Sequence, residues 1–194
     1  MAATATLPHG REVDSSHAAR RVRINRLGLW LFLASDGALF ALFAASRFYI
    51  AGTAISPHLN QLLGLGITSL LLLSSFTAYR AETAFTHGNT SHGRMMLLAT
   101  VLMGLMFFGG VVYEWSIAEF SPSEAYGTAF FSMTGMHAFH VVTGVFFLLL
   151  MWARSGDGKF TGGTNAWPIA AAVIYWHFVD VVWVFFYPTL YLLK

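Results

Sequence analysis

Two pairs of ionisable side chains are spaced to act together: His137 with His140, and His177 with Asp180. Members of each pair are three residues apart, which places them on one face of a helix. Both pairs sit in apolar, aromatic surroundings. The second interrupts the run Tyr175-Trp176-His177-Phe178-Val179-Asp180-Val181-Val182-Trp183-Val184-Phe185-Phe186-Tyr187. Ionisable groups in lipid-compatible runs cost about 2.5–3.5 kcal/mol each on insertion scales and point to function by default. Asp36, in an otherwise apolar stretch, is a further such group. Three chemistries suit these residue types. A di-iron site in a helix bundle takes a carboxylate from each of two helices and Glu-x-x-His from two others. Here the motifs are His-x-x-His and His-x-x-Asp with one further carboxylate, which counts against metal. A haem with histidine axial ligands is the second, and the bulky residues around His177 leave little room for a macrocycle. The third is a buried polar network, in which each imidazole bonds a carboxylate, hydroxyl or carbonyl of a neighbouring helix and fixes its register. This last reading fits best. Asp36 serves in it either as a hydrogen-bonding acid or as a group that exchanges a proton.

The elements that position these groups follow from composition. Of 194 residues 56% are hydrophobic and 10% charged, whereas a soluble domain carries about 25% charge. The chain is read as an integral membrane protein. Without cysteine, it holds no disulfide, thiolate metal site or iron–sulfur cluster. A spanning helix needs about 20 mainly apolar residues. Five stretches qualify: Leu27–Ile50, Leu59–Tyr79, Met95–Trp115, Tyr126–Trp152 and Ala166–Leu193. Turn chemistry separates them at Gly52, Ser56-Pro57, His87-Gly88-Asn89, Ser121-Pro122-Ser123 and the glycines from 156 to 163. The expected fold is an all-α, five-helix transmembrane bundle spanning 27–194, preceded by a polar, Arg-rich arm at 1–26.

Charge sets the orientation. Arg11, Arg20, Arg21, Arg23, Arg26, Arg80, Arg94, Arg154 and Lys159 fall on one side, and only Arg47 and Lys194 on the other. The positive-inside rule puts the N-terminus in the cytoplasm and the C-terminus outside. The arm reads as a mobile orientation signal, with docking to a partner or anionic headgroups as the alternative. A cleaved signal peptide does not fit, because the apolar run after Arg26 is too long. Counted from opposite faces, Asp36, His137, His140, His177 and Asp180 all fall near mid-depth, Asp36 roughly 14 Å along its helix. Glu114 lies toward the outer rim, where it joins the outer end of the network. Thr134, His137, His140 and Gly144 form one stripe, and Gly104 and Gly110 thin another helix. Small and hydroxyl residues allow close helix approach, so the glycines and threonine read as packing positions. Arg80 and Glu82 read as solvated charge on the cytoplasmic side.

The opening run, together with Gly135-Met136-His137-Ala138-Phe139-His140-Val141-Val142-Thr143-Gly144, resembles subunit III of the haem–copper terminal oxidases. Tyr126-Gly127-Thr128-Ala129-Phe130-Phe131 and Leu31-Phe32-Leu33-Ala34-Ser35-Asp36 fit the same pattern. The resemblance covers about Leu27 to Lys194. It implies a non-catalytic subunit packed beside subunit I, with subunit II and small subunits as further partners and no nucleic acid. This chain would bind no metal or haem. Haem and copper would lie in partner subunits, and structural phospholipids would accompany it. The larger family form has seven helices around a lipid-filled cleft, and this chain is similar to the short five-helix form of bacterial cytochrome c and quinol oxidases. The implied setting is a bacterial cytoplasmic membrane. The implied role is support of proton uptake by subunit I, protection from inactivation, and easier oxygen access through bound lipid. Arg80, Arg94 and Arg154 are the candidates for lipid headgroups. One departure stands out: the family usually carries glutamate where this chain has Asp36, a side chain one methylene shorter. The rival readings are a companion of a nitric oxide reductase, a stand-alone metal- or haem-binding protein, and a purely structural assembly factor.

Overall fold

The computed structural model describes residues 9–53 and 60–193. It contains five long helices: α1 His9–Ala51, α2 Gln61–Thr86, α3 Thr90–Ile117, α4 Ala125–Arg154 and α5 Trp167–Tyr187. Each includes a segment long and apolar enough to cross a membrane, and no strand occurs among the described residues. The fold is the expected all-α bundle. Ser56-Pro57, Leu59, Lys194 and the first eight residues of the arm lie outside the described residues.

Helices α1, α3 and α4 outrun their apolar stretches at both ends and α2 at its C-terminal end, because a helix stops where its backbone is capped rather than where hydrophobicity stops. Helix α5 instead ends at Tyr187, short of the expected Leu193, and is followed by a π turn over Pro188–Leu192. Expected to end at Tyr79, α2 continues to Thr86, so Arg80 and Glu82 are helical. It ends where Gly88 adopts φ 81°, a left-handed conformation that suits glycine. There Gly88 N–H donates to Phe85 O at 3.1 Å and Asn89 N–H to Ala84 O at 2.8 Å. Asn89 then accepts from His92 N–H at 3.1 Å and starts α3. The connection between α2 and α3 is therefore only residues 87–89. At the N-terminus α1 begins at His9 and passes through Arg26 unbroken. Position 26 marks a change in composition, not a break in the helix.

In the bundle α5 is central and packs on α1, α2 and α4; α2 pairs with α3, α3 with α4, and α1 lies against α4 and α5. The apolar segment of α5 is 56% buried and that of α1 only 11%, so α1 is the peripheral helix. Indoles and hydroxyls stitch the helices together. Trp176 Nε1 donates to Ser74 Oγ and Trp183 Nε1 to Thr68 Oγ1, both at 2.9 Å, tying α5 to α2. Trp115 Nε1 donates to Thr134 Oγ1 at 3.0 Å, tying α3 to α4. Trp176 lies in a slot between Gly104 and Gly144, and Gly110 lies against Ile67. The small-residue stripes are thus packing surfaces.

Candidate functional site

The five mid-depth groups were expected to form one network. They divide into three sites, because residues three apart on a helix still diverge by about 60° around its axis. On α4, His140 turns toward α1 and His137 toward α3 and α5.

The first site joins α1 to α4. His140 Nε2 faces both carboxyl oxygens of Asp36, at 3.3 Å from Oδ1 and 3.1 Å from Oδ2. Its Nδ1 lies 2.8 Å from Met136 O. A carbonyl only accepts, so Nδ1 carries a hydrogen committed to the backbone. The bond between Nε2 and Asp36 therefore needs one more proton, carried either by the carboxyl or by the imidazole. Phe40 meets the imidazole ring edge-on at 4.7 Å and Phe139 covers it at 5.5 Å between ring centres. The pair lies in apolar surroundings.

The second site joins α2 to α5. Ser75 Oγ donates to Asp180 Oδ2 and lies 3.1 Å from His177 Nδ1. His177 and Asp180 do share a face, as their spacing predicts, but Ser75 is what links them. Ser75 has no mark in the sequence, because a lone serine in an apolar helix carries no signal until a partner is opposite it. Asp180 is buried and His177 half-buried.

His137 belongs to neither site. It is fully buried, tilted on Trp183 at 4.7 Å and edge-on to Phe107 at 5.6 Å, and neither ring nitrogen has a hydrogen-bond partner among the described residues. Its expected membership of the network is corrected on that ground. Its position is aromatic packing.

Glu114 is likewise separate. Tyr191 Oη donates to Glu114 Oε2 at 2.6 Å. Around it the C-terminal ends of α1 and α5 and the N-terminal end of α4 are tied together. After Pro188 the last turn of α5 widens into a π turn, Pro188–Leu192, which presents carbonyls to its neighbours. Arg47 Nε donates to Thr189 O at 3.0 Å, Arg47 Nη1 to Gly52 O, and Tyr126 Oη to Leu190 O at 2.8 Å. Arg47 is fully buried. Charge counting alone treats it as one of two basic residues opposite the Arg-rich side. Its signal was available all the same, as an arginine within an apolar stretch.

At the end of the bundle away from Arg47 the three lipid candidates part company. Arg80 and Arg154 are exposed. Arg94 instead donates to Trp152 O at 2.9 Å and Ser155 Oγ at 3.4 Å, and its guanidinium lies 4.7 Å over the Trp152 ring. It caps the C-terminal end of α4, where a cation is favoured.

The family model described as cytochrome c oxidase subunit III matches residues 11–194. Cytochrome c oxidase subunit 3 of Alkalihalophilus pseudofirmus is 34% identical over 177 residues, covering 86% of this chain and 85% of that protein. A probable cytochrome c oxidase subunit 3 of Mycobacterium tuberculosis is 31% identical over 188 residues, covering 92% of both chains. Rat cytochrome c oxidase subunit 3 is 36% identical over 180 residues, 86% of this chain and 68% of its own longer one.

Proposed function

The chain belongs to the cytochrome c oxidase subunit III family, and from that membership we propose a non-catalytic role centred on the Asp36–His140 pair. As subunit III of a haem–copper oxidase, it is part of a respiratory complex and associates with other oxidase subunits. We infer that haem and copper stay with those partners, that subunit I is the direct neighbour, and that phospholipid fills the lateral surface. The complex reduces oxygen to water and pumps protons across a bacterial cytoplasmic membrane, with this chain's N-terminus inside. Arg80 and Arg154 are the headgroup contacts in this reading.

The observation that carries the proton role is the hydrogen accounting at Asp36–His140. With Nδ1 of His140 bonded to Met136 O, the remaining bond to Asp36 holds one exchangeable proton. Such a pair supports proton uptake by subunit I and slows its inactivation during turnover. The shorter aspartate suffices because the imidazole reaches it at hydrogen-bond distance.

Asp36→Asn keeps the shape and an acceptor but removes the titratable carboxyl. In the assembled oxidase it is expected to leave subunit content intact, reduce proton uptake, and shorten severalfold the number of turnovers before inactivation. Unchanged proton uptake and lifetime in a fully assembled Asp36→Asn complex would refute the proton role and favour a structural one. Metal analysis and a visible spectrum of the isolated chain complete the test. Stoichiometric iron or a Soret band would refute the non-catalytic reading.

A further inference from the structure

One buried oxygen of the Asp36–His140 site is left over. His140 Nε2 shares a single hydrogen with the carboxyl group, and that bond runs to Asp36 Oδ1. Asp36 Oδ2 is buried and has no hydrogen-bond partner among the described residues. Such an oxygen calls for a donor, most of all when the group is ionised. Helix α5 brings one. Tyr175 is only 4% exposed. Its ring stacks on Phe32 at 6.3 Å, one turn from Asp36 on α1, and meets Phe147 edge-on at 5.6 Å. A Cβ on Gly144, one turn from His140 on α4, would lie 3.4 Å from Tyr175 Cε1. The phenol thus stands where α1, α4 and α5 converge, beside the pair and on the side away from Arg47.

The hydroxyl of Tyr175 interacts with the Thr143 hydroxyl on α4 and with the charge of Asp36 on α1. Thr143 gives its own hydrogen to Phe139 O at 2.9 Å, so toward Tyr175 it only accepts. The phenol therefore has one hydrogen and two acceptors for it. A hydrogen bond to an ionised oxygen is roughly twice as strong as a neutral one, so the charge on Asp36 decides between them. The turn is a rotation about the Cζ–Oη bond, which leaves the packed ring in place.

We infer that Tyr175 is a hydroxyl switch of the Asp36–His140 site: its hydrogen bonds Asp36 Oδ2 while that carboxylate is ionised and returns to Thr143 Oγ1 when Asp36 takes up a proton. No proton leaves the phenol; Asp36 alone gains and loses one. Tyr175 is thus a positioning residue that makes ionised Asp36 less costly in apolar surroundings, and Thr143 is its resting partner. A tyrosine serving only as packing would leave the buried Oδ2 unserved in the ionised state. The inference deepens the proton role proposed for Asp36 and rests on it.

The test uses the assembled oxidase. Tyr175→Phe removes one oxygen and keeps the ring against Phe32, Phe147 and Gly144. It is expected to slow proton uptake about three- to fifteen-fold, the range of membrane interhelical hydrogen bonds, with subunit content unchanged. Thr143→Val removes the resting acceptor at nearly constant shape. It is expected to speed uptake, because the phenol then stays on Asp36. Slowed or unchanged uptake in Thr143→Val would mark plain packing and overturn the switch. Infrared difference spectroscopy with ring-labelled tyrosine reads the switch in otherwise unaltered enzyme. One tyrosine C–O band should move as Asp36 loses its proton, vanish in Tyr175→Phe and stay still in Asp36→Asn. Absence of a moving band overturns the inference even where Tyr175→Phe does not assemble. Wild-type uptake in Tyr175→Phe, with reduced uptake in Asp36→Asn, would overturn the switch and leave the proton role standing; wild-type uptake in both would remove both.

Discussion

Replacing Gly104 by alanine adds one methyl group, and the structure fixes what that methyl meets. The new Cβ would lie 2.5 Å from Trp176 Cη2 and 3.0 Å from Val145 Cγ2. Ordinary van der Waals contact begins near 3.4 Å, so the indole must retreat by roughly 1 Å, and packed interiors resist such shifts. It has nowhere to go. The opposite edge of the same ring faces Gly144, whose own Cβ would stand 2.8 Å from Trp176 Cε3. Overpacking of this kind costs about 1–3 kcal/mol. Tilting the ring to escape weakens the Trp176–Ser74 bond, and membrane interhelical bonds average about 0.6 kcal/mol with a maximum near 1.7. The expected destabilisation is therefore about 2–4 kcal/mol for Gly104→Ala, with Gly144→Ala similar. Gly109, on the same helix, has open space around its position. Gly109→Ala should be neutral or stabilise by a few tenths of a kcal/mol, as helix propensity dictates. The assay is reversible unfolding in mixed micelles, followed by circular dichroism. A double-mutant cycle with Trp176→Phe isolates the clash, because the smaller ring frees the slot. In that background Gly104→Ala should cost less than about 0.5 kcal/mol. Equal costs at Gly104 and Gly109, or an undiminished cost after Trp176→Phe, would refute the slot argument.

Three further outcomes are expected. Arg94→Met keeps an apolar stem over Trp152 but uncaps α4, and should lower stability by about 1 kcal/mol, since Arg94 is half-exposed and solvent replaces part of the loss; unfolding of the variant measures it. Glu114→Leu strands the buried Tyr191 hydroxyl and should cost about 1–3 kcal/mol, whereas Glu114→Gln retains an acceptor and should cost less than half as much in the same assay. The proposed orientation predicts that Ser123→Cys reacts with an impermeant maleimide from outside intact cells, while His87→Cys reacts only after the membrane is opened; the chain's lack of native cysteine makes both labels specific.

Much of the fold was legible in sequence because lipid removes choices. A backbone without water must satisfy itself within helices, so five apolar runs near 20 residues predict five spans. The two motif-bearing runs on α4 and α5 were enough to suggest the family. Helix ends were less legible, since Arg80, Glu82 and Arg94 look like loop charges until the turn at Gly88-Asn89 is seen to cap α2 and start α3.

Spacing also determined that His177 and Asp180 share a face and that Asp36 lies at the depth of His140. It did not determine which helix stands opposite each face. That is a matter of rotation and packing between helices, set by contacts far apart in the chain, such as Trp176 in its glycine slot and Arg47 on the π turn. Tertiary structure therefore decided that Asp36 takes His140, that His177 and Asp180 need Ser75, that Glu114 belongs to Tyr191, and that His137 packs among aromatics. The sequence supplied the polar groups and their depths; the rotation of each helix against its neighbours decided their partners.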